Sequence, residues 1–418
     1  MSMNRLWQKD SPIIDSLMET DVYKILMLYF IWRFFPNLRV KFSFKNRTVK
    51  VRLAEEIDLS LLREHIWHAC QLCFDESETA YFRSWQMFPE EFLEDVLCLR
   101  LPEVLVEKTT DGQLRIEAEG LWQEVTLLEL LILPIVSELR TRAFIGECEY
   151  RHRQAIQIGE ERLYAKIPLL KQLAPLKVAF FDLRRRATGD WEQHTTRILL
   201  NEIPGIVAGV SNIRLAQELG VEAIGTNAHE LPMALTALRS HECPEAMRQA
   251  QYEVLGMWQK LYGHKSLIML PDTYGDRQFF LNLPERYYRD WRGSRHDSGD
   301  PFEYGEARIR DYEARGINPA QKTIIYSDGL TPGTMLDLKS RFFGRIGLGY
   351  GWGTNKSHDL GFEGFGPLSL VMKLTQAAGK PAVKLSSNIA KATGEPDAVA
   401  YYKGVFGYRE TFCEDPVY

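Results

Sequence analysis

From about Leu176 onwards, short apolar runs recur along the chain, and small, polar or charged residues follow each run directly. Stretches with helical periodicity, such as residues 212–219 and 244–261, separate the runs. Continuously apolar strands that alternate with helices are typical of βα units around a parallel sheet. The predicted strands are residues 178–181, 206–210, 222–224, 266–270, 323–326 and 346–348, with a candidate seventh near 287–292. This pattern predicts the α/β class, and it favours an irregular (βα) barrel over a doubly wound sheet.

Nearly every predicted strand carries its polar and glycine residues at its carboxyl end. Barrels and open α/β sheets place their active sites at that end of the strands, so the pattern predicts an enzyme. The first βα turn lacks the G-x-G-x-x-G signature of dinucleotide binding. Its absence counts against a nicotinamide-dinucleotide oxidoreductase.

The two ends of the chain lack the regular alternation of apolar runs and helices that marks the barrel region. Residues 21–34 read as a helix, whereas 40–44 and 114–119 read as strands, which predicts an α+β domain over residues 1–145. The last forty residues return to β-like runs at 382–385 and 399–402. We therefore expect 376–418 to pack back on the N-terminal domain, and 146–375 to form the barrel domain.

Charge and cysteine usage narrow the class of protein. The chain has 51 Lys and Arg against 56 Asp and Glu, a net charge of −5, and its cations are scattered, which argues against nucleic-acid binding. The most apolar stretches, 25–35 and 127–136, are too short to cross a bilayer, and residues 1–12 lack a signal-peptide core. Six cysteines in 418 residues do not form a disulfide framework. We expect a protein of the reducing cytoplasm.

One cysteine cluster invites a metal-site reading. His65, His68, Cys70 and Cys73 lie within nine residues and include a C-x-x-C pair. Residues 61–74 nevertheless have helical apolar periodicity, and no second Cys or His pair follows at zinc-finger spacing. The pattern favours an amphipathic helix over a zinc site.

A glycine-rich loop follows the last predicted barrel strand. Gly347, Gly349, Gly351 and Gly353 alternate with other residues before Thr354 and Asn355. Bare backbone N–H groups and a hydroxyl directly after a strand are typical of a phosphate-binding loop, and the alternative is a flexible turn.

Two further strand ends carry charged clusters. In residues 295–301, Arg295 can pair with a carboxylate through both arms of its guanidinium, and Asp297 and Asp300 can bind ribose hydroxyls or Mg²⁺. Residues 184–186 are three arginines that follow Phe181, which suits either a diphosphate or a basic surface loop. A surface turn would explain only residues 297–301 of the first cluster.

A histidine stands at a predicted strand-to-helix turn. His229 lies in GTNAHE beside Glu230. Histidine suits nucleophilic or proton-transfer chemistry near neutral pH, but a histidine at a helix start can equally be structural.

Taken together, six short motifs in a fixed order make the chain resemble the bacterial nicotinate phosphoribosyltransferases, which belong to the type II phosphoribosyltransferases. The motifs are TDVYK at 20–24, FFDLRRRATGD at 180–190, GTNAHE at 225–230, SRHDSGDP at 294–301, YSDG at 326–329 and GYGWGTN at 349–355. The resemblance implies an irregular α/β barrel with a sandwich-like N-terminal domain that the C-terminal segment rejoins. It also implies an ATP-coupled carbon–nitrogen ligase that uses Mg²⁺, acts in NAD salvage and forms a head-to-tail homodimer with shared active sites.

The same resemblance assigns roles to individual residues. Nicotinate would stack between Phe181 and the partner subunit's Tyr23. Thr226 and Arg295 would hold its ring and carboxylate.

For phosphoribosyl diphosphate, the resemblance implies that Gly353 and Thr354 bind the 5-phosphate, with Gly329 and Gly351 beside them. Arg184 would face the diphosphate. Arg184 and Asp297 are both predicted to be catalytic residues.

His229 would be transiently phosphorylated by ATP. Glu230 occupies a position where many relatives have serine, and its role stays open.

Three other functions compete with this interpretation. A nicotinamide or quinolinate phosphoribosyltransferase would need different pocket charges. A Schiff-base aldolase would need a lysine near a strand end, where we expect none because Lys356 lies beyond the glycine loop. A ligand-binding barrel without activity would not need all the motif residues.

Overall fold

The chain forms one parallel and one antiparallel β-sheet in the computed structural model, which describes residues 4–8, 11–263 and 267–414. The strands, β1 to β11 in chain order, are Arg39–Asn46, Val104–Lys108, Leu114–Leu121, Val178–Phe180, Val207–Val210, Ile268–Met269, Gly293–His296, Thr323–Tyr326, Gly347–Trp352, Leu370–Ala377 and Lys380–Pro381. The α-helices, α1 to α18, are Val22–Phe34, Leu53–Glu56, Leu59–Gln71, Glu76–Ser84, Glu90–Leu97, Trp122–Val125, Leu128–Ile145, Glu149–Lys171, Gly189–Glu202, Ile213–Leu219, Glu230–Arg239, Pro244–Tyr262, Asp276–Leu281, Glu285–Asp290, Pro301–Glu313, Pro332–Phe342, Thr354–Ser357 and Pro396–Phe406. Short 3₁₀ segments lie at Leu183–Arg185, Pro319–Gln321 and Ile389–Lys391.

The parallel sheet has the strand order β5-β4-β9-β8-β7-β6. Ala223 extends the β5 edge through a parallel bridge to Val210. Asn227 Nδ2 donates to the carbonyl oxygen of Ile268 at 3.3 Å, so a side chain spans the gap between this edge and β6. The predicted α/β class with an irregular barrel is therefore confirmed, and the backbone ladder is open at this one gap.

Two strand predictions needed correction. The candidate seventh strand near 287–292 is wrong, because α14 occupies most of it and the strand, β7, begins at Gly293. Pro284 precedes the helix, and the side chains of Tyr287 and Tyr288 are buried beneath it. The run at 222–224 forms a single bridge rather than a strand. Ser266, at the start of another predicted strand, lies outside the described residues.

The antiparallel sheet has the order β11-β10-β1-β3-β2. Strand β1 buries alternate side chains, as the period of an extended strand requires when one face is covered. Strand β10 comes from far along the sequence and pairs with β1 from residue 370 to residue 377. Helix α7 contacts both β10 and the 3₁₀ segment after β4, so it connects the two sheets.

The β-like reading of residues 399–402 is wrong, since they belong to helix α18. Pro396 at the first turn and Gly407 at the end, with φ 56°, start and stop this helix more strongly than its Val and Tyr residues favour a strand. Phe406 stacks on Tyr274 with ring centroids 3.9 Å apart. Thus β10 and β11 join the antiparallel sheet, whereas α18 packs against the barrel side of the molecule.

The remaining expectations concern helices and cysteines. Residues 61–74 lie mostly in α3, as their periodicity predicts, and Asp58 caps that helix. All six cysteines are free thiols. Within the described ranges, none of the helices is both long enough and apolar enough to span a membrane.

Helix α15 approaches the sheet so closely that residue 305 must be glycine. A methyl group at Gly305 would overlap the ring of Phe342 and the hydroxyl of Tyr326. We expect Gly305→Ala to lower the free energy of unfolding by about 1–3 kcal/mol, measured by urea titration. In Gly404→Ala, the matched change within α18, no atom lies within 4 Å of the new methyl, so stability should rise by up to ~1 kcal/mol. Equal stability of the two variants would contradict the close approach.

Candidate active site

A cleft opens at the carboxyl ends of the parallel strands. The site residues that the resemblance assigned line it: Tyr23, Phe181, Arg184, Thr226, His229, Arg295, Asp297, Gly329, Gly351, Gly353 and Thr354. Residues that are more than 300 positions apart therefore share one surface. Their individual roles stay predictions.

Tyr23 lies in the cleft of its own chain, so the expectation that a partner subunit supplies this ring is wrong. The start of α1 is tied to the loop after β5 of the same chain. Ser211 Oγ donates to Asp21 Oδ1 at 2.5 Å, and the backbone N–H of Val22 donates to the carbonyl oxygen of Ser211 at 2.9 Å. These bonds hold Tyr23, which is only 8% exposed, at the barrel rim.

The glycine loop and the Phe181 ring are neighbours because β4 and β9 pair in parallel. The backbone N–H of Phe181 donates to the carbonyl oxygen of Trp352 at 2.8 Å. A methyl group at Gly351 would overlap the Phe181 ring, which explains the glycine there. Beneath the two loops, Lys356 Nζ donates to Asp182 Oδ2 at 2.7 Å, and both side chains are buried.

Arg295 lies on strand β7 rather than in the turn that follows. Its Nη1 donates to Thr226 Oγ1 at 2.8 Å, and its Nη2 donates to Asp297 Oδ1 at 3.2 Å. The two residues predicted to hold one ligand are thus in direct contact. Asp300 instead caps helix α15, where it accepts the backbone N–H groups of Phe302 and Glu303, so its predicted role in ribose or Mg²⁺ binding is not supported by its position.

His229 is buried where α11 begins. Its Nδ1 lies 3.0 Å from Thr273 Oγ1. Burial lowers the pKa of the imidazole to about 4, with Lys384 adding to that effect and Asp272 and Asp297 opposing it. The ring is therefore neutral near neutral pH, the form in which a ring nitrogen can act as a nucleophile. Nε2 faces Lys384 Nζ at 2.8 Å, Asp297 Oδ2 at 3.1 Å and Asp272 Oδ1 at 3.5 Å.

Glu230, whose role the sequence left open, points away from the cleft into a buried ion pair. Lys24 Nζ donates to Glu230 Oε2 at 2.6 Å, and Thr126 Oγ1 donates to Oε1 at 2.8 Å. Lys24 follows Tyr23 and Glu230 follows His229, so this pair connects the two elements that carry those residues.

Sequence reasoning missed most of the cations in the cleft. These are Arg47, Lys373, Lys384 and Lys391. The expectation of no lysine concerned the ends of the barrel strands, and the cleft lysines come from other elements. Most of the missed residues belong to the antiparallel sheet or the segment after it, which have no recognisable motif. A lysine inside the apolar run at 382–385 is the signal that could have revealed Lys384.

A carboxylate pair beside His229 could hold a divalent cation. Among the described residues, His229, Asp272 and Asp297 form a group whose ligand atoms lie within 4.8 Å of one another. Asp272 Oδ1 is buried and has no hydrogen-bond partner, as a metal ligand would. Mg²⁺ prefers such oxygen ligands, so these two carboxylates fit it.

Comparison with known proteins agrees with this geometry. Residues 18–137 match the N-terminal domain model of the nicotinate phosphoribosyltransferase family, and residues 176–410 match the model of the family itself. The chain belongs to the nicotinate phosphoribosyltransferase family. A nicotinate phosphoribosyltransferase structure from Porphyromonas gingivalis is 30% identical, with a TM-score of 0.84 over 94% of this chain and 100% of that one. One from Vibrio cholerae is 28% identical, with a TM-score of 0.86 over 98% and 96% of the two chains.

The position of Tyr23 gives this family member a testable property. We expect a mixture of Tyr23→Ala and Phe181→Ala chains, unfolded and refolded together, to stay as inactive as either variant alone, because both rings come from one chain. A site shared across a homodimer would instead restore about a quarter of wild-type activity to the mixture, since about half of the dimers would be mixed and each of these would have one intact site. Refolded wild-type chain is the control for recovery.

Proposed function

We propose that this protein transfers the phosphoribosyl group of phosphoribosyl diphosphate to nicotinate, coupled to ATP hydrolysis. The products are nicotinate mononucleotide, diphosphate, ADP and phosphate, which makes the protein a carbon–nitrogen ligase of cytoplasmic NAD salvage. The observation that carries the proposal is that an arginine–threonine pair, two aromatic rings, a glycine loop and a set of cations line one cleft.

The aromatic acid binds between Phe181 and Tyr23, which both line the cleft. Arg295 offers its guanidinium to the carboxylate, as Arg commonly does in charge-assisted pairs. Thr226 Oγ1 holds Nη1 of that guanidinium, which restricts its orientation. A single arginine opposite the ring favours an acid with one carboxylate over quinolinate, which has two.

Phosphoribosyl diphosphate binds across the rest of the cleft. Gly353 and Thr354 take the 5-phosphate at the end of β9, and Arg184 and Lys373 face the diphosphate. Asp272 and Asp297 would hold Mg²⁺, which supplies further charge neutralisation for the leaving group when it is bound.

In the transfer step, the pyridine nitrogen of nicotinate forms a bond to ribose C1 while the bond from C1 to the diphosphate oxygen breaks. The attacking nitrogen carries no proton, so no general base is required. The residues of the cleft therefore act by positioning the reactants and by stabilising the charge on the leaving diphosphate.

ATP coupling is assigned to His229. Transfer of the γ-phosphate to a neutral ring nitrogen adds roughly −1.5 to −2 charge, by analogy with other phosphorylated side chains. Lys384, at 2.8 Å from Nε2, is placed to neutralise that charge. Hydrolysis of the phosphohistidine after transfer would then remove the charge and help product release.

Arg295→Ala tests the nicotinate site. Loss of a charge-assisted contact costs about 2–3 kcal/mol, so the KM for nicotinate should rise roughly 30-fold to 150-fold. The KM for phosphoribosyl diphosphate should change far less, as steady-state kinetics with each substrate varied will show. Arg345→Ala, which removes a surface arginine paired with Glu306, is the control. Equal effects on both substrates would reassign Arg295.

Labelling with γ-phosphate-labelled ATP tests the relay. Wild-type protein should acquire acid-labile phosphate on His229, and His229→Asn should lose both the label and coupled ATP hydrolysis while keeping some ATP-independent transfer. The exposed His241 offers a control variant, His241→Asn, that should label normally. Full coupling in His229→Asn would remove the relay from the mechanism.

A further inference from the structure

Glu129 is a buried carboxylate that three cations share. It lies in the first turn of α7 with its side chain 2% exposed. Lys373 Nζ lies 2.8 Å from Oε1, Lys24 Nζ lies 3.1 Å from Oε2, and Arg184 Nη1 lies 3.6 Å from Oε1. Glu129 itself does not line the cleft, whereas Arg184 and Lys373 do.

The three cations differ in how else they are neutralised. Lys24 has Glu230 as a second buried partner at 2.6 Å. Arg184 and Lys373 each make one ion pair among the described residues, and in both cases the partner is Glu129. One carboxylate is thus the ion-pair partner of two cleft cations. Because it can neutralise only one of them, a positive charge is left at the cleft surface.

These two cations come from different sheets. Arg184 follows strand β4 of the parallel sheet, and Lys373 lies on strand β10 of the antiparallel sheet. Helix α7 contacts elements of both sheets, and its Glu129 pairs with one cation from each. Without the carboxylate, two like charges would face each other in a partly buried site, where their repulsion is weakly screened.

We infer that Glu129 is a positioning residue for the leaving group: it holds Arg184 and Lys373 in one arrangement so that together they receive a diphosphate. The inference rests on the proposed function and deepens it, because it names the group that aligns the contributions of the two sheets. Burial and the nearby Arg184 lower the pKa of Lys373, and Glu129 raises it, with a net pKa of about 8. The carboxylate therefore also helps to keep this lysine charged.

The test compares two buried glutamates of the same helix. Glu129→Gln should raise the KM for phosphoribosyl diphosphate, and weaken the binding of inorganic diphosphate measured by calorimetry, by about tenfold or more, because both cleft cations lose their shared partner. The KM for nicotinate should stay within about threefold, since Arg295 and Thr226 do not contact Glu129. Glu129→Asp, which keeps the charge, should restore part of the loss.

Glu138→Gln is the matched control. Glu138 is also buried in α7 and pairs with Arg142 and Arg186, but it does not line the cleft. It should lower stability and leave diphosphate binding unchanged. Equal weakening by Glu129→Gln and Glu138→Gln, or equal rises in both KM values for Glu129→Gln, would overturn the inference.

The Glu129→Asp variant and calorimetry with inorganic diphosphate test the inference even if Glu129→Gln does not fold or the protein does not turn over nicotinate. If Glu129→Gln does not fold, Glu129→Asp must still weaken diphosphate binding more than Glu138→Gln does, or the inference fails. Calorimetry with inorganic diphosphate does not need turnover. Wild-type protein that binds diphosphate but does not transfer to nicotinate would refute the proposed function alone, whereas wild-type and Glu129→Gln proteins that bind diphosphate equally would refute this inference alone.

Discussion

Repulsion among the cations that share the cleft is the constraint on which the arrangement of charges around the cleft depends. A buried charge is costly unless an opposite charge compensates it. Here carboxylates lie just behind the cleft cations: Glu129 behind Arg184 and Lys373, and Asp272 at 3.3 Å from Lys384. The cleft is therefore held positive and ordered before any anion enters, which lowers the cost of binding one.

The parallel sheet also determines the geometry of the cleft. Pairing of β4 with β9 brings the Phe181 ring against the glycine loop, and the pair Lys356–Asp182 ties the same two segments together beneath. An aromatic acid beside Phe181 and a phosphate at Thr354 would therefore lie on neighbouring strand ends. Proximity of that kind is a large part of catalysis when no proton has to be moved.

Sequence patterns predicted the barrel strands and the motif residues well because both depend on local properties. In α/β folds, a continuous apolar run followed by glycine and polar residues commonly forms a buried parallel strand. This prediction was confirmed for β4, β5, β8 and β9. The prediction failed at 399–402, where helix start and stop signals outweighed β propensity. The partner-supplied Tyr23 was implied by the family resemblance rather than by any local pattern, and the structure instead places this ring in the cleft of its own chain.

By itself the sequence determined the class of fold, the strand ends that carry polar and glycine residues, and the residue types suited to binding a phosphate or a carboxylate and to acting as a nucleophile. These follow from backbone periodicity and from side-chain chemistry, which act over a few residues. Only the tertiary structure decided which charges meet. Lys373, Lys384 and Glu129 reach the site from elements without a motif, and a buried ion pair is specified by distances between side chains that are remote in the chain. Tertiary packing, rather than the order of residues in the chain, therefore sets the positions of the charges in this site and of the opposite charges that pair with them.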